Sequence, residues 1–275
     1  MNKYVFHTCY LSEQQHELIQ TQFAQAAKQS DGFYTLESAK QPDLAAIRQQ
    51  LNCDVNKLPT NFKGKNVRLV VTDMDSTLIS IECIDEIADM LGIKQKVSAI
   101  TEAAMRGELD FAESLTQRVA LLKGLPESDL QRVYDERLNL NPGAEQLIEY
   151  LKKSSIKLAL VSGGFTFFTN KLKQRLGLDY TLANTLEVKD GFLTGKVEGD
   201  IIGAQAKADL LQKLSAELSL QAEQVIAMGD GANDLLMMDI AGLSVAYHAK
   251  PTVQDQTHAQ LNQSGLDAVI ALIKA

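Results

Sequence analysis

The chain has 275 residues with 45% hydrophobic content, enough for one large core plus a small extra unit and too apolar for a disordered chain. Its net charge of -8 argues against nucleic acid or an anionic membrane as the main partner. No apolar run approaches the ~18 residues of a membrane-spanning helix, the start MNKYVFHTCYLSEQQHELIQ lacks the apolar stretch of a signal peptide, and a cytoplasmic protein is expected.

In chain order, KYVFHTCYL predicts a strand and SEQQHELIQTQFAQAAKQ a helix. The stretch LPTNFKGKN, residues 58–66, has the Pro, Gly and Lys content of a linker. Residues 1–62 are therefore expected to form a small α+β module. Cys9, Cys53, His7 and His16 inside it show no partner pattern and are expected to be structural. With Cys83, the cysteines give neither a metal spacing nor a disulfide framework.

From Val67 the pattern changes. VRLVVTD is a short apolar run rich in β-branched residues and predicts a buried strand. Residues 82–138 are helical in pattern throughout. NPGAEQLIEYLKKSS predicts a helix opened by Pro142, IKLALV a second buried strand, and FTFFTNKLKQRLGL a helix ending near Gly177. TLEVKDGFLTGKVEG carries an Asp-Gly turn between alternating runs and predicts a hairpin. AQAKADLLQKLSAEL predicts a helix, QVIAMGD a third buried strand and LSVAYHA a fourth.

Strands alternating with helices predict an α/β fold with a parallel, Rossmann-like sheet covered on both faces. Ligands of such sheets bind outside the carboxyl ends of the strands. Three polar clusters fall there: Asp73-Met74-Asp75-Ser76-Thr77, Ser162-Gly163-Gly164, and Gly229 to Asp234. The helical block after the first cluster is placed to act as a cap. The expected divisions are 1–62 for the module, 66–81 with 140–275 for the core, and 82–139 for the cap.

Bringing the first and third clusters together crowds four carboxylates in one cleft. Two like charges ~4 Å apart cost about 4 kcal/mol at an effective dielectric of ~20. Oxygen-only ligands without His or Cys point to Mg²⁺. One such Asp alone fits a helix cap equally well. Ser162-Gly163-Gly164 alone also fits a plain strand-to-helix turn, or a cradle of backbone amides for an anion. Lys207 stands in the first turn of its helix, where a cation opposes the macrodipole. It is either an ordinary surface lysine or aimed at an anion, and the neighbouring clusters favour the anion. The set suits phosphoryl transfer, with a carboxylate as nucleophile and a metal offsetting its repulsion from phosphate.

DMDST, SGG, the isolated Lys207 and GDGAND resemble, in order and spacing, the four motifs of the haloacid dehalogenase superfamily of phosphatases. The longer stretches DMDSTLISIECIDEIA, MRGELDFAESLTQRVALLKG, SGGFTFF, AQAKADLL and GDGANDLLMM are similar to its phosphoserine-hydrolysing branch. The resemblance runs from about Val67 to the C-terminus. It implies Mg²⁺-dependent hydrolysis of O-phospho-L-serine through an aspartyl-phosphate, with a small molecule as partner and the oligomeric state left open. Asp73 is then the nucleophile and Asp75 the acid, later the base. Asp73, the carbonyl of Asp75, and Asp230 would ligate Mg²⁺, with Asp234 and Asn233 supporting them. Ser162, Gly163 and Lys207 would bind phosphate. In the cap, Glu82 would meet the substrate ammonium and Arg118 its carboxylate, while Met105, Gly107 and Phe111 would shape the pocket. Two rivals are a phosphatase or phosphotransferase for another small ester, and a silent phospholigand-binding protein.

Overall fold

Residues 2–58 form an antiparallel sheet with two helices, in the order β1 (Asn2–Phe6), α1 (Glu13–Phe23), β2 (Lys28–Gln29), β3 (Tyr34–Ser38), α2 (Leu44–Leu51) and β4 (Val55–Leu58). The computed structural model describes residues 1–275 except for the side chain of Met105, so the expectation placed on that side chain lies outside the described residues. The strand order β2-β3-β1-β4 is that of a ferredoxin-like split βαβ unit. Strand alternation decides what each face covers. Tyr4 and Phe6 pack with Ile19, Phe23, Ile47 and Leu51 of the module's helices, whereas Val5, Phe33 and Leu58 join the main core. Ser12 and Gln15 close a capping box at the start of α1.

The expected linker at 58–66 is no loose tether. Phe62 and Gly64 are buried, and a Cβ on Gly64 would lie 2.0 Å from the Ile273 carbonyl oxygen. The composition of a linker thus hides a close approach of two backbones. Asp54 strengthens the joint. Its buried carboxylate accepts the backbone N–H groups of Asn262, Gln263 and Ser264 at 2.9, 3.0 and 2.9 Å.

The main sheet begins with β5 (Leu69–Thr72), and four helices follow: α3 (Cys83–Met90), α4 (Lys94–Met105), α5 (Phe111–Ala120) and α6 (Glu127–Glu136). Next come α7 (Ala144–Lys153), β6 (Lys157–Phe165), α8 (Thr166–Leu176), β7 (Tyr180–Lys189), β8 (Phe192–Glu198) and α9 (Ala204–Glu217). The chain closes with β9 (Val225–Gly229), α10 (Leu235–Asp239), β10 (Leu243–Tyr247), α11 (Pro251–Gln254), β11 (Ala259–Leu261) and α12 (Ala268–Lys274). The strand order is β11-β10-β9-β5-β6-β7-β8, parallel except for the antiparallel edge strand β8.

The α/β class with an inserted helical block and a parallel sheet is as the sequence predicts. The expected hairpin is β7–β8, with Asp190 and Gly191 both at positive φ, 52° and 81°, as a type I′ turn requires. Two strands go beyond the expectation. The first half of β7 pairs in parallel with β6, and β11 pairs with β10. Pro142 does not itself open α7. Gly143 caps that helix at φ 80°, because a Cβ there would meet Asp267 Oδ1 at 2.2 Å. No helix among the described residues is long and apolar enough to cross a membrane.

Candidate active site

Three neighbouring strands, β9, β5 and β6, carry the three polar clusters at their carboxyl ends. Asp73 follows the fully buried β5, and its N–H donates to the Met228 carbonyl of β9 at 3.0 Å. The chain then turns sharply through residues 74–78, with Ser76 at φ 57°. Asn141 Nδ2 holds this turn by donating to the carbonyls of Ser76, Thr77 and Ile79 at 3.3, 2.8 and 3.1 Å.

Lys207, with no exposed surface, crosses from α9 to donate to Asp73 Oδ1 at 2.5 Å and Asp234 Oδ1 at 2.7 Å. Asp234 Oδ2 accepts the Gly231 N–H at 3.1 Å, so both its oxygens are taken. Thr77 Oγ1 donates to Asp230 Oδ1 at 3.0 Å. Carboxylate oxygens of Asp73, Asp230 and Asp234 lie within 4.8 Å of one another. Gly229 is fixed by this crowding, since a Cβ would sit 2.3 Å from Asp234 Oδ2.

One ammonium faces three carboxylates, and excess negative charge remains. Burial, then Asp234, pushes the Asp73 carboxyl well above the usual range. Burial, then Asp234, raises Asp230 to about 6. Burial alone would lower the Lys207 ammonium, but Asp73 and Asp234 outweigh it and hold it above the ordinary lysine range. The donor set is all oxygen. The second oxygens of Asp73 and Asp230 receive no side-chain hydrogen bond among the described residues. Hard, anionic and partly free, this set fits a divalent cation.

The second cluster bulges out of the sheet. Val161 pairs with Leu182 and Phe165 with Asn184, so Ser162, Gly163 and Gly164 stand out of register. The Ser162 hydroxyl oxygen accepts the Gly164 N–H at 2.8 Å. A Cβ on Gly164 would meet Asp75 Oδ2 at 2.8 Å, and one on Gly163 would meet the Phe111 ring at 2.8 Å. The bulge therefore lies against both Asp75 and Phe111 of α5.

A cavity of about 140 Å³ joins these parts. Asp73, Asp75, Glu82, Phe111, Arg118, Ser162, Gly163, Asp230 and Asn233 all line it. Glu82 precedes α3 and stays open to water on one side, and its carboxylate accepts the Ser76 hydroxyl at 2.6 Å. Burial first and Asp75 second still push it up to about 7. Arg118, on α5, donates from Nε to the Ser114 carbonyl at 3.3 Å, and burial lowers its guanidinium. Burial raises Asp75 as well, while the Cys83 N–H donates to its Oδ1 at 3.0 Å.

Lys207 and Asp234 lie outside the cavity lining, with Lys207 directly contacting Asp73. Gly107 is also absent from the lining. It occupies the exposed turn after α4 at φ 79°, where glycine serves the backbone. Sequence reasoning missed four contributors. Thr77 was visible in DMDST without a role, and the Cys83 N–H is a backbone group. The apolar wall of Ile84, Leu115 and Phe165 has the pattern of ordinary core. Asn141 gave no local signal, because its targets lie 62 to 65 residues away.

Residues 70–239 match the family of haloacid dehalogenase-like hydrolases. The chain is 52% identical over 225 residues to a phosphoserine phosphatase of Polaromonas sp., covering 80% of this chain and 95% of that protein. A HAD family hydrolase from Salmonella enterica subsp. enterica serovar Typhi superposes with a TM-score of 0.91 at 35% identity, covering 100% of this chain and 99% of that one. A substrate-bound phosphoserine phosphatase superposes with a TM-score of 0.70 at 41% identity, covering 75% of this chain and 98% of its own. With the acidic cluster, the bulge and the inserted helices in the arrangement described, the chain belongs to the haloacid dehalogenase-like hydrolases.

Proposed function

We propose that the protein hydrolyses O-phospho-L-serine to L-serine and phosphate, the last step of serine biosynthesis, in the cytoplasm. The observation that carries this is the placement of Glu82 and Arg118 on the same small cavity as Asp73 and Asp75. A carboxylate and a guanidinium there complement the ammonium and carboxylate of an amino acid. The identity to phosphoserine phosphatases supports the same substrate.

The Asp73 carboxylate attacks phosphorus, and the bond from phosphorus to the serine oxygen breaks. Asp75 gives its proton to the departing oxygen, a role favoured by the burial that raises its carboxyl. Asp75 then takes a proton from water, whose oxygen attacks the aspartyl-phosphate and releases phosphate and Asp73. Ser162, Gly163 and Asn233 hold phosphate oxygens, and Lys207 supplies positive charge beside them. Asp73, the Asp75 carbonyl and Asp230 are the residues that would hold Mg²⁺, while Asp234 is committed to Lys207 and Gly231. Mg²⁺, when bound, offsets repulsion between phosphate and carboxylates. Phe111 closes the pocket against Gly163.

The chain division belongs to the proposal: a module over 1–62, a core over 66–81 and 140–275, and a cap over 82–139. Separate sheets and the unbroken helical block support it.

The test is phosphate release from L-phosphoserine, D-phosphoserine, phosphothreonine and a sugar phosphate, with Mg²⁺ or chelator, beside Asp73→Asn. Preference for L-phosphoserine, lost with chelator and in the variant, is expected. Equal rates on all esters would refute the specificity, and activity in Asp73→Asn would refute the covalent route.

A further inference from the structure

The bulge at Ser162-Gly163-Gly164 takes Gly163 out of the β6–β7 ladder, and its carbonyl needs another donor. Asn184 of β7 supplies it. Its side chain is 1% exposed, and Nδ2 donates to the Gly163 carbonyl at 2.8 Å. The same amide faces a second segment. Nδ2 donates to the Ile202 carbonyl at 3.3 Å, and Oδ1 accepts the Ile202 N–H at 2.8 Å. Ile202 leads through Gly203 into α9, and the Lys207 N–H donates to the Gly203 carbonyl at 3.1 Å. One buried amide therefore ties the bulge bearing Ser162 to the turn that launches Lys207. Phe111 of α5 lies across both segments, since a Cβ on Gly163 or Gly203 would meet its ring at 2.8 or 3.2 Å.

We propose that Asn184 is a positioning residue for phosphoryl transfer, fixing the distance between the Ser162-Gly163 bulge and the Lys207–Asp73 pair without touching substrate. The assignment rests on the proposal that those groups act on a phosphate ester. Only an amide of this length offers two donor hydrogens and an acceptor together. Aspartate has the same shape but no donor, and it would set a charge against two carbonyls. Serine is too short to bridge the segments. Misplacement by about 1 Å is enough to cost roughly 100-fold in rate.

The full-length chain with Mg²⁺ is compared with Asn184→Asp and Asn184→Ser. Turnover of phosphoserine and of p-nitrophenyl phosphate is measured, with inhibition by orthovanadate and by L-serine, and thermal unfolding. The expected result is a fall in kcat on both esters of roughly 10- to 100-fold. Orthovanadate inhibition weakens by about tenfold or more, while inhibition by L-serine, held by Glu82 and Arg118, is unchanged. Unchanged kcat and orthovanadate inhibition in either variant would overturn the proposal. Parallel loss of both inhibitors, or failure of both variants to fold, would also overturn it, because the role would then be structural alone. A wild type that cleaves the aryl ester but not phosphoserine would refute the substrate and leave the aryl and orthovanadate measurements to decide Asn184.

Discussion

Lys207 donates to Asp73 at 2.5 Å, across 134 residues of sequence and with no exposed surface on the lysine. Asp234 shares the same ammonium at 2.7 Å. Lys207→Met keeps the length and removes the charge, leaving two buried carboxylates unpaired. Breaking such a pair costs roughly 3–5 kcal/mol. A marked fall in thermal stability is expected without metal, and Mg²⁺ should restore more of it than it adds to the wild type. Turnover should fall by about 100-fold or more. Unfolding at the wild-type temperature without metal would show that the ammonium does not compensate the cluster.

Much of this site is legible in the sequence, for a physical reason. The short runs Leu69–Thr72 before Asp73 and Val225–Gly229 before Asp230 have the length and composition of buried strands, and strands paired in parallel bring their acids out together at one edge. Lys207 was legible as an anion-directed cation, but its partners in the structure are the protein's own carboxylates. What stayed hidden depends on distant pairing. β2 is two residues long and β11 three, too short for a period to register. Asn184 sits in an ordinary strand sequence, and its use exists only because the neighbouring strand bulges. Asp54 gives no local signal, because its partners lie 208 to 210 residues away.

Arg118, on α5, lines the same cavity as Asp73 and Asp75. Arg118→Ala should raise KM for phosphoserine by about 100-fold, the scale of a charge-assisted bidentate contact. An aryl phosphate without a carboxylate should lose little. Steady-state kinetics on the two esters decide the matter, and equal losses would remove Arg118 from substrate recognition.

Glu82 gives the proposed activity a pH signature. Its carboxylate is pushed up to about 7, although its open side lets water screen part of that rise. Below its midpoint it is protonated and cannot pair with an ammonium; above it the charge is present. KM for phosphoserine should therefore rise as pH falls through the window from 7 toward the ordinary carboxylate range. Phosphate protonation and Asp230, raised to about 6, act in nearly the same window. They act on an aryl phosphate as well, so the ratio of the two KM values isolates Glu82. In Glu82→Gln that ratio should be high and flat with pH. A ratio that varies identically in variant and wild type would rule Glu82 out.

Asp54 is 1% exposed and is the acceptor for three backbone N–H groups of the main core. Asp54→Ala removes their acceptor; the residues that carry them are half-buried or exposed, so water replaces part of the loss and the cost is about 1–3 kcal/mol in all. Thermal unfolding should drop by several degrees while kcat at 25 °C stays unchanged, because neither Asp54 nor residues 262–264 line the cavity. A fall in kcat with unchanged stability would instead connect the module to catalysis.

His7 should set part of the acid stability. Asn56 Oδ1 accepts the Gln260 N–H, which turns its Nδ2 toward His7 Nε2 at 3.1 Å. Nε2 is then an acceptor and the ring proton sits on Nδ1, which is buried without a partner. A second proton has no place in this arrangement, and burial lowers His7 to about 4 from the usual 6.5. Between those values the unfolded chain takes up a proton that the folded chain refuses. The stabilisation is complete above pH 6.5 and is lost as pH falls toward 4, by roughly 3 kcal/mol in all. His7→Gln keeps an acceptor at the position of Nε2 and cannot titrate. Urea unfolding of both proteins at pH 7 and 4.5 should show the wild type losing more stability than the variant over that interval. Equal losses would mean that His7 is protonated in the folded protein and that the Asn56 contact does not hold it neutral.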